Sequence, residues 1–228
     1  MADGEYFTVE GTNQQMRNVT ERMAETLRTA LTTDLTIPKL NFPRLRLLTM
    51  SGLGYSGSDF RMVAEKIRPT GIRVYETKEN YGYHGKFSSV DEFDFYVLAP
   101  TVTASPALYM KTLVHETAHA VQEWKKWRES PLDQEVDGHF AEALYLVLSG
   151  KASEAKNDSI MTYFIIAAEA YADDPKCITS NWFRNIRANM RDDILRHYRH
   201  MHKKVDPNFN EKEFDKEFNK KTTPNGID

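Results

Sequence analysis

Apolar positions recur at helical spacing through Val19, Met23, Leu27, Ala30 and Leu31, and Thr20 stands where an amino-terminal cap belongs, so the pattern predicts an amphipathic helix over 20–32. Pro38 and Pro43 then interrupt the chain, and 44–50 reads as a strand entering a glycine-rich turn at 51–57. That turn lacks the Gly-Lys-Ser/Thr ending of a phosphate loop and the spacing of a dinucleotide fingerprint, so an ordinary connection is expected. A short helix capped by Ser58 is predicted over 58–67, stopped by Pro69, Thr70 and Gly71. From 72 to 100 the signal changes to strands. Ile72, Val74 and Tyr75 begin one, 81–87 is a glycine-rich turn region, and the aromatic, β-branched run 93–98 makes a partly buried strand.

After Ser105 and Pro106 the period is helical almost to the end, with helices expected over 105–128, 130–149, 158–172 and 180–202. Beyond 205 a charged tail of six acids and four lysines spaces Phe209, Phe214 and Phe218 for a last short docked helix, with 222–228 frayed. The predicted fold is therefore α+β: a small sheet from 44–98 beside a long helix, a mostly helical carboxyl-terminal half, one domain over 1–204 and a tail over 205–228.

Composition narrows the chemistry. The 228 residues are 40% hydrophobic and 28% charged, the make-up of a globule with a core and not of a disordered or fibrous chain. A net charge of −3 excludes binding of nucleic acid by the field of the whole molecule. The start lacks a basic segment followed by an apolar one, and the longest apolar run, 163–168, is far short of the roughly 18–20 residues of a membrane span. A soluble, cytoplasmic protein is expected. With Cys177 as its one cysteine, the chain has no internal disulfide or cysteine-based zinc finger, and any metal must be held by histidine and carboxylate. The seven histidines are unevenly placed: His84 alone, then His115, His119 and His139, then His197, His200 and His202.

His115, Glu116 and His119 form the pattern His-Glu-x-x-His inside the predicted helix 105–128. Residues four apart on a helix share a face, so both imidazoles can bind one ion, and Glu116 can take the proton of a water whose pKa that ion lowers. This is the zincin signature. Leu108, Leu113, Val114, Ala118 and Val121 supply the apolar neighbours a buried motif helix needs.

A third ligand must come from elsewhere, leaving one position for water. Ser130 as cap and Pro131 at the first helical position make the next helix the second arm of an antiparallel hairpin turning near residue 129. His119 and His139 lie level across that turn, which favours His139 as the third ligand. Glu135, one turn earlier on the same face, is the alternative ligand or the acceptor that orients His139; Glu142 is a further candidate. Asp137 is expected to point away into solvent.

The stretch 95–100, followed by Lys111-Thr112-Leu113-Val114-His115-Glu116-Thr117-Ala118-His119-Ala120 and then Gly138-His139, resembles the SprT-like and Spartan metallopeptidase domain over residues 93–150. It departs from that pattern at Phe140 and Ala143, where the family has glycine and an aromatic residue. The resemblance implies Zn2+ held by His115, His119 and His139, Glu116 as general base, and hydrolysis of peptide bonds in a protein or peptide substrate. Because such proteins act on DNA-bound substrates, it also bears on the helix at 181–204. That helix carries Arg184, Arg187, Arg191, Arg196, Arg199, Lys203 and Lys204 against Asp192 and Asp193, interleaved with Trp182, Phe183 and Tyr198. It is a candidate nucleic-acid contact.

Two rival readings remain: a non-catalytic zincin scaffold whose metal staples two helices, and a DNA-associated accessory factor using 181–204. His197, His200 and His202 lack the four-residue spacing of a second metal pair, although one of them, or Tyr163 or Tyr171, could reach the first site. Glu169 is expected to be exposed, and Cys177 to be a core or turn thiol.

Overall fold

The computed structural model describes residues 5–8, 15–48, 54–68, 71–78, 85–90, 93–155 and 158–220. His84, most of the turn region at 81–87, the first part of the turn at 51–57, and 222–228 lie outside them.

Strands β1 (Phe7–Thr8) and β2 (Gln15–Asn18) pair antiparallel and lead into helix α1 (Glu21–Thr33). Thr20 caps α1 as predicted, its hydroxyl accepting from the Met23 amide at 3.3 Å, and Ala24, Leu27 and Leu31 form the buried stripe. Two short strands, β3 (Phe42–Pro43) and β4 (Gly54–Tyr55), pair with each other. The strand expected over 44–50 does not form in its described part. Leu45, Arg46 and Leu47 make a turn in which the Leu47 amide donates to the Arg44 carbonyl, and Leu48 adopts a φ of 46°. The Leu45 amide donates at 3.1 Å to the Asp137 carboxylate, so the apolar run packs as a turn, with Leu45 fully buried.

Helix α2 (Gly57–Glu65) starts a residue before its predicted beginning because Ser56, not Ser58, caps it: Ser56 and Asp59 form a reciprocal capping box. Strands β5 (Arg73–Thr77), β6 (Gly85–Val90) and β7 (Phe93–Leu98) complete a sheet ordered β1-β2-β5-β7-β6. Strands β5 and β7 run parallel with Tyr75 opposite Val97, while β6 returns antiparallel along β7 and forms one edge of the sheet.

The remaining chain is helical: α3 (Pro100–Ala104), α4 (Met110–Trp124), α5 (Pro131–Leu148), α6 (Met161–Asp173), α7 (Asn181–Val205) and α8 (Glu211–Asn219). The helix predicted over 105–128 forms as α4 over Met110–Trp124, later in starting and earlier in ending than expected. Ser105 precedes a proline and takes φ −145°, ψ 65°, a non-helical conformation that proline favours in its predecessor, and a 3₁₀ turn (Pro106–Tyr109) separates α3 from α4. Leu108, expected in the core, sits on that turn and is 78% exposed. Ser130 caps α5 as read from sequence, Ser180 caps α7, and the tail forms α8. No helix among the described residues is long and apolar enough to cross a membrane.

Helix α5 is the centre of the helical half, packed by α4, α6, α7 and α8. Its apolar residues Val136, Phe140, Ala141, Ala143 and Leu144 are buried, and so are several polar ones. A polar group so enclosed needs a partner. Asp133 has Arg187 and Arg191 of α7. Asp137, expected in solvent, is 1% exposed: it accepts from the Leu45 amide at 3.1 Å and from the Tyr55 hydroxyl at 3.0 Å. The turn after β3 and strand β4 cover the side of α5 that a two-helix picture leaves open. Burial, reinforced by the Glu129 carboxylate, pushes the Asp137 pKa well above the usual carboxylate range.

Candidate metal centre

Helices α4 and α5 are joined by a tight reversal in which Lys126 takes φ 51°. They approach closely because of Gly138: a Cβ built there would stand 3.0 Å from both Cε1 and Nε2 of His115, so the His115 ring lies against the bare α5 backbone. A second glycine acts from the sheet. A Cβ on Gly85 of β6 would meet Thr112 Cγ2 at 3.1 Å and Glu116 Cγ at 3.2 Å, which brings the edge strand against the motif face of α4. We expect Gly138→Ala to gain helix propensity of under about 1 kcal/mol but to lose about 1–3 kcal/mol by overpacking. A lowered urea midpoint checks this.

His115 Nε2 lies 3.1 Å from His119 Nε2 and 3.4 Å from Glu135 Oε2, and His119 Nε2 lies 3.6 Å from Glu135 Oε1. Donors about 2.1 Å from a tetrahedral ion stand roughly 3.4 Å apart, which is the spacing of this triad. Outer partners flank both imidazoles: His119 Nδ1–H donates at 2.9 Å to Gln122 Oε1, and His115 Nδ1 faces Glu142 Oε2 at 3.6 Å, so that the Nε2 atoms of both rings are turned towards each other and Glu135. The first arrangement continues outward. Gln122 Nε2 donates at 2.6 Å to the Tyr55 hydroxyl, which donates to Asp137.

His139 stands beside the triad. Its ring centroid is 4.4 Å from that of His115, its Nδ1 is 3.4 Å from Glu142 Oε2, and His115, Glu135 and His139 offer donor atoms within 4.8 Å of one another. Both residues weighed as third ligand from sequence are thus at the site, and Glu142 lies behind them with Lys111 Nζ 3.4 Å away. Glu135 Oε2 and His139 Nδ1 are buried atoms without a hydrogen-bond partner, a condition that a bound cation relieves.

The electrostatics favour positive charge. Burial works against protonation of His115, but Glu135, Glu142 and Glu116 outweigh it and hold its pKa well above the usual imidazole value. Burial likewise works to raise the Glu135 carboxyl, yet His119, His115 and His139 keep it far below the usual range. Glu116 is 6% exposed beside His115.

Other predicted residues lie elsewhere. The Tyr171 hydroxyl donates to the Asn41 carbonyl at 3.0 Å, Tyr163 packs against the core, His200 and Glu169 are exposed, and His202 packs against the rings of Phe209 and Phe214. Cys177 is a half-buried free thiol in a 3₁₀ turn (Pro175–Thr179). Among the second histidine group, His197 is close enough that His139 adds to the effect of burial in lowering its pKa. Sequence reasoning missed Gln122 and Tyr55, and also Tyr198, whose hydroxyl is held well above the usual phenol pKa by burial and by the charge of Glu135. Only Gln122, one turn after His119, left a local signal.

The cations of α7 are largely engaged within the molecule. Arg187 and Arg191 pair with Asp133, Arg196 with Asp193, Arg199 with Glu211 and Asp215, and Lys203 with Glu211. No protein-family model, curated protein or solved structure matches the chain.

Proposed function

We propose that this chain is a zinc-dependent metallopeptidase of the zincin type, similar in its motif to SprT-like domains, with His115, His119 and Glu135 holding the metal and Glu116 as general base. The observation that carries this reading is the meeting of two imidazole nitrogens and one carboxylate at 3.1, 3.4 and 3.6 Å, with a glutamate adjacent in sequence to the first histidine. Zinc bound there supplies Lewis acidity, lowering the pKa of a water and polarising a carbonyl. Glu116 accepts the proton of the attacking water and delivers it to the leaving amine. Glu142 and Gln122 keep His115 and His119 in the ligating tautomer. The edge strand β6, which runs past Glu116 and pairs with β7 alone among the described strands, offers main-chain groups to an extended peptide.

The purified protein is expected to contain one zinc ion and to cleave an unfolded protein substrate. Removing the metal with a chelator abolishes cleavage, and added zinc restores it; cleavage that survives metal removal, checked by metal analysis, overturns the mechanism.

A second reading has its own support. If His139 joins the triad, four protein donors close the tetrahedron, and the metal becomes a staple between α4 and α5 with no position for water. A nucleic-acid role for α7 draws less support, since Asp133 and the acids of α8 already neutralise much of its charge.

A further inference from the structure

We propose that Tyr55 of β4 is a positioning residue of the metal centre: it sets which way round the side-chain amide of Gln122 stands, and through that amide which ring nitrogen of His119 faces the metal. The inference rests on the reading of His115, His119 and Glu135 as metal ligands.

A histidine ligates through Nε2 only when that nitrogen carries no proton, and the partner of Nδ1 decides this. His119 Nδ1 lies 2.9 Å from Gln122 Oε1. A carboxamide has two unlike ends of nearly equal size, an oxygen that accepts and an amino group that donates. With the oxygen towards His119, Nδ1 carries the proton and Nε2 is left bare. With the amide turned over, Gln122 would donate to Nδ1, and the proton of the neutral ring would sit on Nε2, the atom that faces His115 and Glu135. Packing alone does not separate the two settings, so hydrogen bonds at the far end of the amide must.

Gln122 Nε2 makes two. It donates at 2.6 Å to the Tyr55 hydroxyl oxygen and at 3.2 Å to the main-chain carbonyl of Gln134 in α5. The carbonyl can only accept. The Tyr55 oxygen accepts as well, because its own proton is committed to Asp137 Oδ2 at 3.0 Å, while Oδ1 of that carboxylate takes the Leu45 amide at 3.1 Å. A turned amide would set Gln122 Oε1 against a carbonyl oxygen and against a hydroxyl whose proton points elsewhere. The direction of the whole row, from Asp137 through Tyr55 and Gln122 to His119, is therefore fixed from outside the His-Glu-x-x-His motif.

Tyr55 is firmly placed for this. Gln122, Tyr55 and Asp137 are all buried, so a bond lost from the row leaves a polar group that solvent does not readily satisfy. Phe42 of β3 stacks on the Tyr55 ring at 4.4 Å, and Trp127 meets it edge-on at 4.9 Å. Gly54 lets β4 lie close along β3, since a Cβ there would collide with the Phe42 carbonyl oxygen. The β3–β4 pair thus carries a residue that governs the state of a ligand on α4.

The test is zinc affinity of the full chain, measured by competition with a chromogenic chelator. Wild type is expected to bind zinc and His115→Ala to lose it. Tyr55→Phe keeps the ring and its stack on Phe42. It is expected to weaken binding about tenfold, the lower end of what loss of an outer partner produces, because the Gln134 carbonyl still holds one amide proton. Gln122→Met removes the amide and is expected to cost more, within the roughly 10–100-fold range. In the Gln122→Met background, Tyr55→Phe is expected to add no further loss, because it acts through that amide.

A second readout is one that lost stability alone does not move. In the zinc-loaded protein the His119 Nδ1 proton is expected as a slowly exchanging signal in a proton–nitrogen correlation spectrum of the ring nitrogens, and Tyr55→Phe is expected to speed its exchange with water. Wild-type affinity in Tyr55→Phe overturns the role of Tyr55 and leaves the metal site intact. Weakened affinity with an unchanged Nδ1 signal makes the effect structural and overturns it as well. Additive losses in the double variant overturn the route through Gln122. A wild-type chain that binds no zinc overturns both this inference and the metal reading beneath it. If thermal unfolding shows that Tyr55→Phe does not fold, the Gln122 side-chain amide protons of the wild type decide: protection supports the inference, and free exchange with water overturns it.

Discussion

Glu116→Gln is expected to keep zinc bound and to lower peptide hydrolysis about a thousandfold. The amide is nearly isosteric with the carboxylate, and Glu116 is 6% exposed between His115 and the Gly85 backbone of β6, so the side chain's volume is accommodated and the ligands are untouched. What the amide lacks is a basic oxygen near neutral pH, and general-base catalysis is worth roughly 10²–10⁴-fold. Metal analysis of the purified variant beside its kcat on a peptide separates the two consequences. Full zinc with unchanged turnover would sink the hydrolase mechanism and leave the metal as a staple between helices.

The second large effect distinguishes Glu135 from His139. Glu135→Ala is expected to lower zinc affinity by well over the roughly 10–100-fold that follows loss of an outer partner, and His139→Ala to fall within that range. The argument is one of distance. Glu135 presents one oxygen to each motif imidazole, at 3.4 and 3.6 Å, whereas Nδ1 of His139 faces Glu142 at 3.4 Å. Removing Glu135 also takes away the charge that compensates a cation between His115 and His119. Isothermal titration of zinc into the two metal-free variants checks the order. A reversed order assigns the third position to His139. Near-complete loss in both variants indicates four ligands and a closed site.

The parts of the site that were legible in the sequence are those written in local spacing. His115 and His119 share a face because four residues make about one turn, and Ser130-Pro131 marks the start of the returning helix, which brings Glu135 and His139 level with them. Choosing between these two requires distances that a pattern does not contain. Asp137 was misplaced because a helical hairpin considered alone has an outer side, and only the folded chain shows the turn at Leu45 and strand β4 lying on it. The run at 44–50 has the composition of a strand, but with its Leu45 amide captured by Asp137 it had no ladder to join. Tyr198 lies far along the chain from the motif, on a helix that reads as a basic surface. Nothing in its own neighbourhood announces that burial and the charge of Glu135 raise the pKa of its hydroxyl.

Gly138 bears on the metal reading proposed above. Because the His115 ring rests on bare backbone there, the thickness of an imidazole fixes the separation of the two helices, and with it the span from His115 to Glu135. The rest of α5 is packed on several sides, against α4, α6, α7 and α8, which works against widening that span. On that proposed reading, a span set this way suits an ion with bonds near 2 Å and works against calcium, whose oxygen-rich coordination needs roughly 2.3–2.6 Å and six or more donors.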